Sequence, residues 1–145
     1  AAAIEAGRAQ WPEIALAVGT LDRPPVVGVY DMLIVSFVLH WVDRTRLAAS
    51  VAAIDGLIKP EGLLVLADFL PDAPERRRYH HRQDVPLYTY KQDYGAVFTG
   101  LGLYRELARV TYPHDATDMA IAPAASQDRA MCAVLRKTQS GYRET

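Results

Sequence analysis

Short apolar runs alternate with helical patterns along the first half of the chain. Three runs, Ile14–Val18, Asp31–Ser36 and Leu63–Asp68, are each closed by a small or acidic residue. Continuous apolar runs bounded by turn or cap residues are typical of strands that are buried on both faces of a parallel sheet. The order strand, helix, strand implies right-handed crossovers. The pattern therefore predicts an α/β fold with a mostly parallel sheet.

Two helices are predicted in this half. The first covers Ala1–Trp11, which is rich in alanine, and Pro12 ends it. The second begins after Asp43, a suitable N-cap, and stops at Lys59–Gly62, which contains a proline and a glycine. Its apolar face is marked by residues at helical spacing, namely Leu47, Val51, Ile54 and Ile58.

The second half begins with a polar stretch, Leu70–Pro86, which is long enough to be a functional loop. Thr89–Gln92 resembles a capping box at the start of a third helix. Gly102 suits the C-terminal end of that helix. Its apolar stripe is formed by Tyr94, Val97, Phe98 and Leu101. Two further strands are predicted over Leu103–Tyr112 and Met131–Leu135.

The composition fits one globular domain over residues 1–138 with a polar tail over residues 139–145. The 16 Lys and Arg residues nearly balance the 17 Asp and Glu residues, so no net field favours nucleic acid or an anionic membrane. No run approaches the ~20 apolar residues of a membrane span. Cys132 is the only cysteine and forms no disulfide within the chain. A reducing, cytoplasmic location is therefore expected.

Three segments together resemble a known enzyme family. The series WPEIALAVGTL, YDMLIVSFVLHWV and IKPEGLLVLADF is similar to the latter part of class I S-adenosylmethionine-dependent methyltransferases. The similarity is strongest to the small-molecule types, whose fourth strand ends in a leucine-histidine motif. It implies a Rossmann-like, mostly parallel sheet of order 3-2-1-4-5-7-6 with strand 7 antiparallel. The segments that would form strands 3 to 7 in turn are Ile14–Val18, Asp31–Ser36, Leu63–Asp68, Leu103–Tyr112 and Met131–Leu135.

Three features of the family have no counterpart in this sequence: the first strand, the glycine-rich cofactor loop and the acid that ends the second strand. Those glycines let the backbone approach the cofactor, and the acid binds the ribose hydroxyls. The resemblance therefore implies an incomplete fold with strands 3 to 7 and without strands 1 and 2. The first residue, Ala1, is not Met. We expect the C-terminal portion of a methyltransferase, inactive and poorly stable as an isolated chain.

The resemblance implies S-adenosylmethionine as the cofactor and assigns two pairs of residues to its binding. Thr20 and Leu21 follow the segment for strand 3, where the family often carries an acid that contacts the adenine amine. With threonine at that place, backbone and apolar contacts are expected instead. Ser36 and Phe37 match the family's position beside the methionine portion of the cofactor. The alternative interpretations are an ordinary turn for the first pair and simple packing for the second.

His40 is the candidate catalytic residue. In the family the matching histidine lies near the methyl-transfer cavity, where a neutral imidazole can take a proton from a substrate hydroxyl or amine. The alternative is a histidine that bonds to the backbone for structural reasons. Trp41, Tyr90 and Lys91 are candidates for substrate binding, the tryptophan by stacking on the cofactor or substrate and the lysine by pairing with an acidic group.

No metal site is predicted from the sequence. Adjacent histidines point apart in a helix or strand, so His80 and His81 are expected to lie in a solvated loop, and Arg76–Arg78 to form a solvated surface. The expected partner is a small-molecule acceptor, with no nucleic acid and no membrane, and a homodimer through an exposed strand edge is compatible with the sequence. Two other functions stay open: a noncatalytic remnant acting in assembly, and a protein or nucleic-acid methyltransferase.

Overall fold

The structure, a computed structural model, describes residues 2–81, 84–115 and 125–138. The helices in this part of the chain are α1 (Ala2–Gln10), α2 (Arg44–Gly56) and α3 (Tyr94–Gly100), and a single 3₁₀ turn covers Leu39–Trp41. The strands are β1 (Tyr30–Ser36), β2 (Ile58–Phe69), β3 (Glu75–Arg78), β4 (Tyr88–Lys91), β5 (Tyr104–Pro113) and β6 (Arg129–Lys137). The predicted tail, residues 139–145, lies outside the described residues.

Four of these strands form one mixed sheet in the order β1-β2-β6-β5, and β3 pairs with β4 in a separate two-stranded sheet. β1 and β2 are parallel, with Ile34 opposite Val65. β6 is antiparallel to both β2 and β5. Thus β1, β2 and β5 run in one direction and β6 in the other. The α/β class is confirmed, and α2 forms the crossover that a parallel pair requires.

Helices α2 and α3 cover one face of the sheet and enclose the core. The buried apolar side chains include Val35, Val51, Ile54, Leu64, Leu66, Phe98, Met131 and Leu135. Burying a side chain of this kind contributes roughly 1.5–3 kcal/mol, so this face holds the fold together. The opposite face is open, because the residues Met32, Ile34 and Val110 are 52%, 65% and 41% exposed.

Two expectations about strands in the first half are wrong. Ile14–Val18 is not a strand, and Ile14 and Val18 are 49% and 66% exposed. The only bridge nearby joins Thr20 to Arg23. An apolar run becomes a strand only where a neighbouring strand receives its backbone hydrogen bonds, and no described strand lies beside this one. Burial of β1 on both faces is also wrong, because Val35 alone is buried in that strand.

The predicted third helix starts later than its capping-box pattern indicates. Tyr88–Lys91 is strand β4, which pairs with β3 in antiparallel orientation. β3 itself lies within Leu70–Pro86, the stretch that was expected to be a loop. Asp93 is the real N-cap of α3, and its Oδ1 accepts from the N–H of Ala96 at 3.0 Å. Gly102 has a φ of 72° beyond the helix end, which agrees with the terminus predicted there.

The N-cap predicted for the second helix is confirmed. Asp43 precedes α2, and its Oδ1 accepts from the N–H of Thr45 at 2.9 Å. The stop is earlier than predicted, since α2 ends at Gly56 and Ile58 already pairs with Tyr30 in the sheet. No helix in the described part of the chain is long and apolar enough to cross a membrane.

Candidate functional site

A cavity of about 530 Å³ opens at the carboxyl ends of β1 and β2. We call it the edge cleft. Its lining consists of the rings of Phe37, Trp41, Phe69 and Tyr79, the imidazoles of His40, His80, His81 and His114, and the polar or charged groups of Arg77, Arg78, Thr89, Lys91, Asp115, Gln127 and Asp128. Ligands of open α/β sheets bind beyond the carboxyl ends of the strands, so the cleft lies where a ligand is expected.

The chain bends directly after β1 and so brings His40 to the cleft. Phe37 adopts a left-handed backbone conformation with a φ of 49°, and its N–H donates to the carbonyl of Ala67 at 2.8 Å. The 3₁₀ turn Leu39–Trp41 follows and carries the imidazole inward, leaving 4% of His40 exposed. Strand β2 therefore fixes the point at which the histidine-bearing turn begins.

Asp68 of β2 holds the His40 ring by a buried hydrogen bond. His40 Nδ1 lies 2.8 Å from Asp68 Oδ1, and the His40 backbone N–H donates to Oδ2 at 3.2 Å. The backbone N–H of Phe69 donates to Oδ1 at 2.8 Å. A carboxylate accepts hydrogen bonds and cannot donate them. With Asp68 ionised, the shared proton lies on Nδ1, and Nε2 of His40 carries the lone pair.

This pair has the geometry that a general base requires. A carboxylate on Nδ1 fixes the tautomer and orientation of an imidazole, and it stabilises the imidazolium that forms when Nε2 takes up a proton. The side-chain partner of His40 is the carboxylate of Asp68 and not a backbone carbonyl. Both residues are almost completely buried, so the arrangement is rigid.

Aromatic rings form the walls around His40. The centroid of Phe69 lies 4.9 Å from that of His40 and 5.4 Å from that of Phe37, both in edge-to-face geometry. On the other side, Trp41 lies 5.0 Å from His40 and 4.8 Å from Tyr79. Edge-to-face contacts at these distances are favourable. They give the cleft apolar walls made of flat surfaces.

Lys91 brings an ammonium group into the same cavity. It is the last residue of β4, and its Nζ lies 3.6 Å from the centroid of the Phe69 ring, a cation–π distance. Burial lowers the pKa of Lys91 from its usual value, and the charge of Arg77 lowers it further. Among the residues that the structure describes, Lys91 Nζ forms no ion pair with a carboxylate. Its charge is therefore available to a ligand.

The structure brings together four of the eight predicted site residues. Phe37, His40, Trp41 and Lys91 all line the edge cleft. Tyr90 does not, because its hydroxyl donates to Asp43 Oδ2 at 2.5 Å, away from the cavity. That contact raises the pKa of the Tyr90 phenol above its usual value.

Thr20, Leu21 and Ser36, predicted to bind the cofactor, also lie outside the cleft lining. Leu21 packs against the core, and the next residue, Asp22, forms an ion pair with Arg46 in the first turn of α2. The ion pair thereby holds the loop near the start of α2. Ser36 is exposed at that end.

Sequence reasoning missed Asp68, Phe69 and His114 as site residues. The acid at the end of the third apolar run was a usable signal, because the carboxyl ends of adjacent parallel strands meet at one edge. Nothing in the local sequence indicates His114, which reaches the cleft from the end of β5 and lies 4.7 Å from the Phe69 ring. Its position depends on the pairing of β5 with β6.

The adjacent histidines lie in an exposed turn, in agreement with the solvated loop expected there. The ring centroids of His80 and His81 are 3.8 Å apart, because the two residues lie in a turn and follow neither helical nor strand periodicity. Both line the edge cleft. Within residues 2–81, 84–115 and 125–138, no group of three His, Cys, Asp or Glu side chains is arranged to hold a metal ion.

A second cavity, of about 770 Å³, lies between α2, α3 and the β3–β4 pair. We call it the helix groove. Its apolar lining includes Val42, Leu47, Val51, Val97, Leu101 and Leu103, and its polar residues include Arg44, Arg76, Tyr90 and Lys91. Tyr90, predicted to bind substrate, therefore lies in the groove. Lys91 borders both cavities.

Comparison with known proteins identifies the fold. No family model and no curated protein match the chain, but solved structures do. N-methyltransferase NodS from Bradyrhizobium japonicum WM9, in complex with S-adenosylhomocysteine, is 14% identical with a TM-score of 0.60, over 94% of this chain and 62% of that one. The 1,6-didemethyltoxoflavin-N1-methyltransferase of Burkholderia thailandensis, with bound 1,6-didemethyltoxoflavin and S-adenosylhomocysteine, is 12% identical with a TM-score of 0.67, over 93% and 56%.

A third match is the glycopeptide N-methyltransferase MtfA complexed with S-adenosylmethionine, at 12% identity and a TM-score of 0.61, over 95% of this chain and 74% of that one. The chain spans less than two thirds of the length of the first enzyme, NodS, and of the toxoflavin enzyme. At these identities the likeness establishes the fold alone. The described chain has the fold of class I S-adenosylmethionine-dependent methyltransferases.

Proposed function

We propose that the edge cleft is the acceptor site of an S-adenosylmethionine-dependent methyltransferase that acts on a small molecule. The observation that carries this proposal is the His40–Asp68 pair at the carboxyl ends of two neighbouring parallel strands. The fold supports it, since the three solved structures named above are methyltransferases. The activity is proposed for the protein that carries this chain, because the chain spans only part of the length of these neighbours.

The strand order supports the same assignment. We assign β1, β2, β6 and β5 to strands 4, 5, 7 and 6 of the family's sheet, since both their order and the antiparallel direction of β6 agree with that pattern. On this assignment the edge cleft opens beside the ends of strands 4 and 5. That is the side of the sheet on which open α/β folds bind their ligands.

The residues at the end of β1 fit the proposed cofactor. When bound, S-adenosylmethionine supplies an electrophilic methyl group on a positively charged sulfur, which keeps the bonding electron pair as the methyl group leaves. The aromatic face of Phe37 suits a cationic group, and the exposed hydroxyl of Ser36 suits a polar one. Thr20 and Leu21 offer backbone and apolar contacts from a loop that the Asp22–Arg46 ion pair holds near α2.

The chain's own residues prepare the acceptor for methylation. Nε2 of His40 takes the proton from the acceptor hydroxyl or amine, and Asp68 stabilises the resulting imidazolium through Nδ1. The rings of Phe37, Phe69 and Trp41 exclude water and hold the acceptor in one orientation. Because alignment of two reactants supplies a large part of the rate in such reactions, these walls contribute alongside the base.

The test is methyl transfer from S-adenosylmethionine labelled in its methyl group to small hydroxyl and amine acceptors. It is measured with the protein that carries this chain. His40→Gln keeps a polar side chain but removes the base, and we expect transfer to fall about 10²–10⁴-fold. Leu101→Ala is the control, because Leu101 is 60% exposed and lies outside the edge cleft; its rate is expected to stay unchanged.

Two outcomes would contradict the proposal. Transfer at the original rate in His40→Gln would remove the histidine from the mechanism. Failure to bind S-adenosylhomocysteine in a calorimetric titration, together with no transfer to any acceptor, would overturn methyl transfer itself.

A noncatalytic role in assembly is the second candidate function. The open face of the sheet favours it, because the exposed Met32 and Ile34 lie on β1, which is an edge strand of the described sheet. Exposed apolar edges are sites of protein association. A chain that forms dimers in solution and binds neither cofactor nor acceptor would support this function over the first.

A further inference from the structure

The acceptor class can be argued from the charges and surfaces of the edge cleft. The starting point is Lys91, whose ammonium contacts the face of Phe69 at 3.6 Å and forms no ion pair among the described residues. Arg77 of the neighbouring strand β3 differs, since it is paired with Glu75 at 2.7 Å. A half-buried ammonium that keeps its hydrogen-bond donors is a suitable partner for an anionic group of a ligand.

The carboxylates around Lys91 do not form an ion pair with it. Glu75 lies opposite Lys91 in the β3–β4 pair and attracts it, but is itself paired with Arg77 at 2.7 Å. Asp68 is fully buried and is bonded to His40. Asp115 accepts from His114 at 2.8 Å. Asp128 lies on the cleft lining, and it attracts Lys91 only over a distance longer than an ion pair. A ligand anion therefore meets an ammonium whose donors are not occupied by a protein carboxylate.

The walls of the cleft select for a flat ligand. Phe37 and Phe69 meet at 5.4 Å between centroids, and Trp41 and Tyr79 meet at 4.8 Å. The His40 ring lies between these two pairs, 4.9 Å from Phe69 and 5.0 Å from Trp41. Aromatic faces and edges bind another ring better than an aliphatic or sugar-like ligand of the same size. A cavity of about 530 Å³ accommodates a one- or two-ring compound.

We propose that the edge cleft takes a planar aromatic compound that carries a negative charge, such as an aromatic carboxylate. The ring lies among Phe37, Trp41 and Phe69, and the anion pairs with Lys91. This inference rests on the proposed function only in treating the ligand as the methyl acceptor. The binding of an aromatic anion itself needs no methyl donor. Recognition of the ring and recognition of the charge come from different residues, so each can be removed separately.

The experiment is a titration followed by two-dimensional ¹H–¹⁵N NMR. The chain contains two tryptophans, and Trp41 lines the cleft whereas Trp11 does not. The indole N–H of Trp41 therefore reports binding, and that of Trp11 is an internal control. The probes are 4-hydroxybenzoate and its neutral analogue 4-hydroxybenzamide. We expect saturable shifts at Trp41 with the carboxylate, with an affinity about tenfold higher than that of the amide.

Substitutions separate the contribution of the charge from that of the ring. Lys91→Met is expected to lower carboxylate affinity about tenfold and to leave amide affinity unchanged, and Lys91→Arg to restore most of the loss. Asp128→Asn is expected to raise carboxylate affinity severalfold, because it removes a negative charge of the lining that attracts Lys91. Equal affinity for the two probes, or equal effects of Lys91→Met on both, would overturn the anion assignment. Shifts absent from Trp41, or equal at both indoles, would overturn the site.

These results can be told apart from a failure of the proposed function. If 4-hydroxybenzoate binds through Lys91 but S-adenosylhomocysteine does not bind and no methyl group is transferred, the cleft recognises aromatic anions and the methyltransferase proposal falls. If neutral acceptors are methylated and 4-hydroxybenzoate does not bind, the function stands and this inference is wrong.

Discussion

The helix groove is the larger of the two cavities, whereas the edge cleft has the more varied side-chain chemistry. The groove is the larger, at about 770 Å³ against about 530 Å³, and its walls are mainly aliphatic. The cleft is smaller and is lined by rings, imidazoles and charged groups. It also contains His40, whose Nδ1 is bonded to the fully buried Asp68, a combination that the groove lining does not include.

The difference follows from how each cavity is built. The groove is the gap left where two helices of the covered face meet the β3–β4 pair, so it is lined by the same apolar stripes that make the core. The cleft lies where parallel strands end, and there the backbone leaves the sheet and polar side chains converge. Cavity volume alone would have selected the groove, whereas the placement of titratable groups selects the cleft.

The largest effect expected is in the cleft, from Asp68→Asn. The amide places an N–H₂ group or a neutral oxygen against His40, which weakens control of the imidazole tautomer. Methyl transfer is expected to fall about 10²–10⁴-fold. The ¹⁵N shifts of the imidazole should show a changed tautomer population in a protein that remains folded. An unchanged tautomer with unchanged transfer would mean that Asp68 does not position the base.

The next effect concerns the core beneath α3. Phe98 is completely buried and meets Tyr104 at 5.4 Å between ring centroids. Phe98→Ala is expected to lower the free energy of unfolding by about 3–5 kcal/mol, measured by urea denaturation. In the fraction that stays folded, shifts of the Trp41 indole with 4-hydroxybenzoate should saturate at the same concentration. A loss of that binding would show that the edge cleft depends on the packing beneath α3.

A smaller effect is expected on stability at acid pH, where the carboxylate of Asp43 becomes protonated. The hydrogen bond from Tyr90, with further help from Thr45, lowers the pKa of Asp43 to about 2 from an ordinary value of 3.8. Because the folded pKa is the lower one, the ionised carboxylate stabilises the fold above about pH 3.8. That stabilisation is lost as the pH falls through about 2.

Thermal unfolding followed by circular dichroism at pH 5, 3 and 2 measures this contribution. Tyr90→Phe should shift the acid transition to higher pH, and Asp43→Asn should remove the part of it that Asp43 causes. If all three proteins show the same acid dependence, the hydrogen bond does not contribute to stability.

The smallest effect is expected at the rim of the groove. Leu101 is 60% exposed and lies at the end of α3. Leu101→Ser should change the free energy of unfolding by less than about 0.5 kcal/mol and leave the affinity of the cleft for 4-hydroxybenzoate unchanged. A marked loss of activity from this substitution would give the groove a function that its chemistry does not indicate.

Part of what the sequence predicted correctly is local. The Asp43 cap and the glycine beyond α3 depend on neighbouring residues only, and their patterns sufficed. β1 was also predicted correctly, but it forms because β2 lies beside it. Ile14–Val18 has the composition of a strand but no partner strand among the described residues. Thr89–Gln92 has the pattern of a cap, but Thr89 to Lys91 belong to β4, which pairs with β3. In both cases the outcome depends more on whether a strand is available for pairing than on the local sequence preference.

The lining of the candidate site was predicted in the same uneven way. A motif pointed to His40, and Trp41 and Lys91 lie close to motifs; all three line the edge cleft. The partner of His40 was not identified, because Asp68 is 28 positions further along the chain and meets it only when β1 and β2 align. His114 depends on two more strand pairings. Residues assembled by the sheet cannot be found from spacing alone.

The position of β6 has a consequence for how this protein is made. It is the last strand of the described chain, yet it occupies an interior place in the sheet, with Ala67 of β2 and Val110 of β5 both opposite Cys132. While the ribosome is still producing β6, β2 and β5 have no common neighbour, and their backbone donors and acceptors are open to other chains. The sheet can therefore close only after synthesis has passed Lys137, so the nascent chain must be kept from aggregating until then.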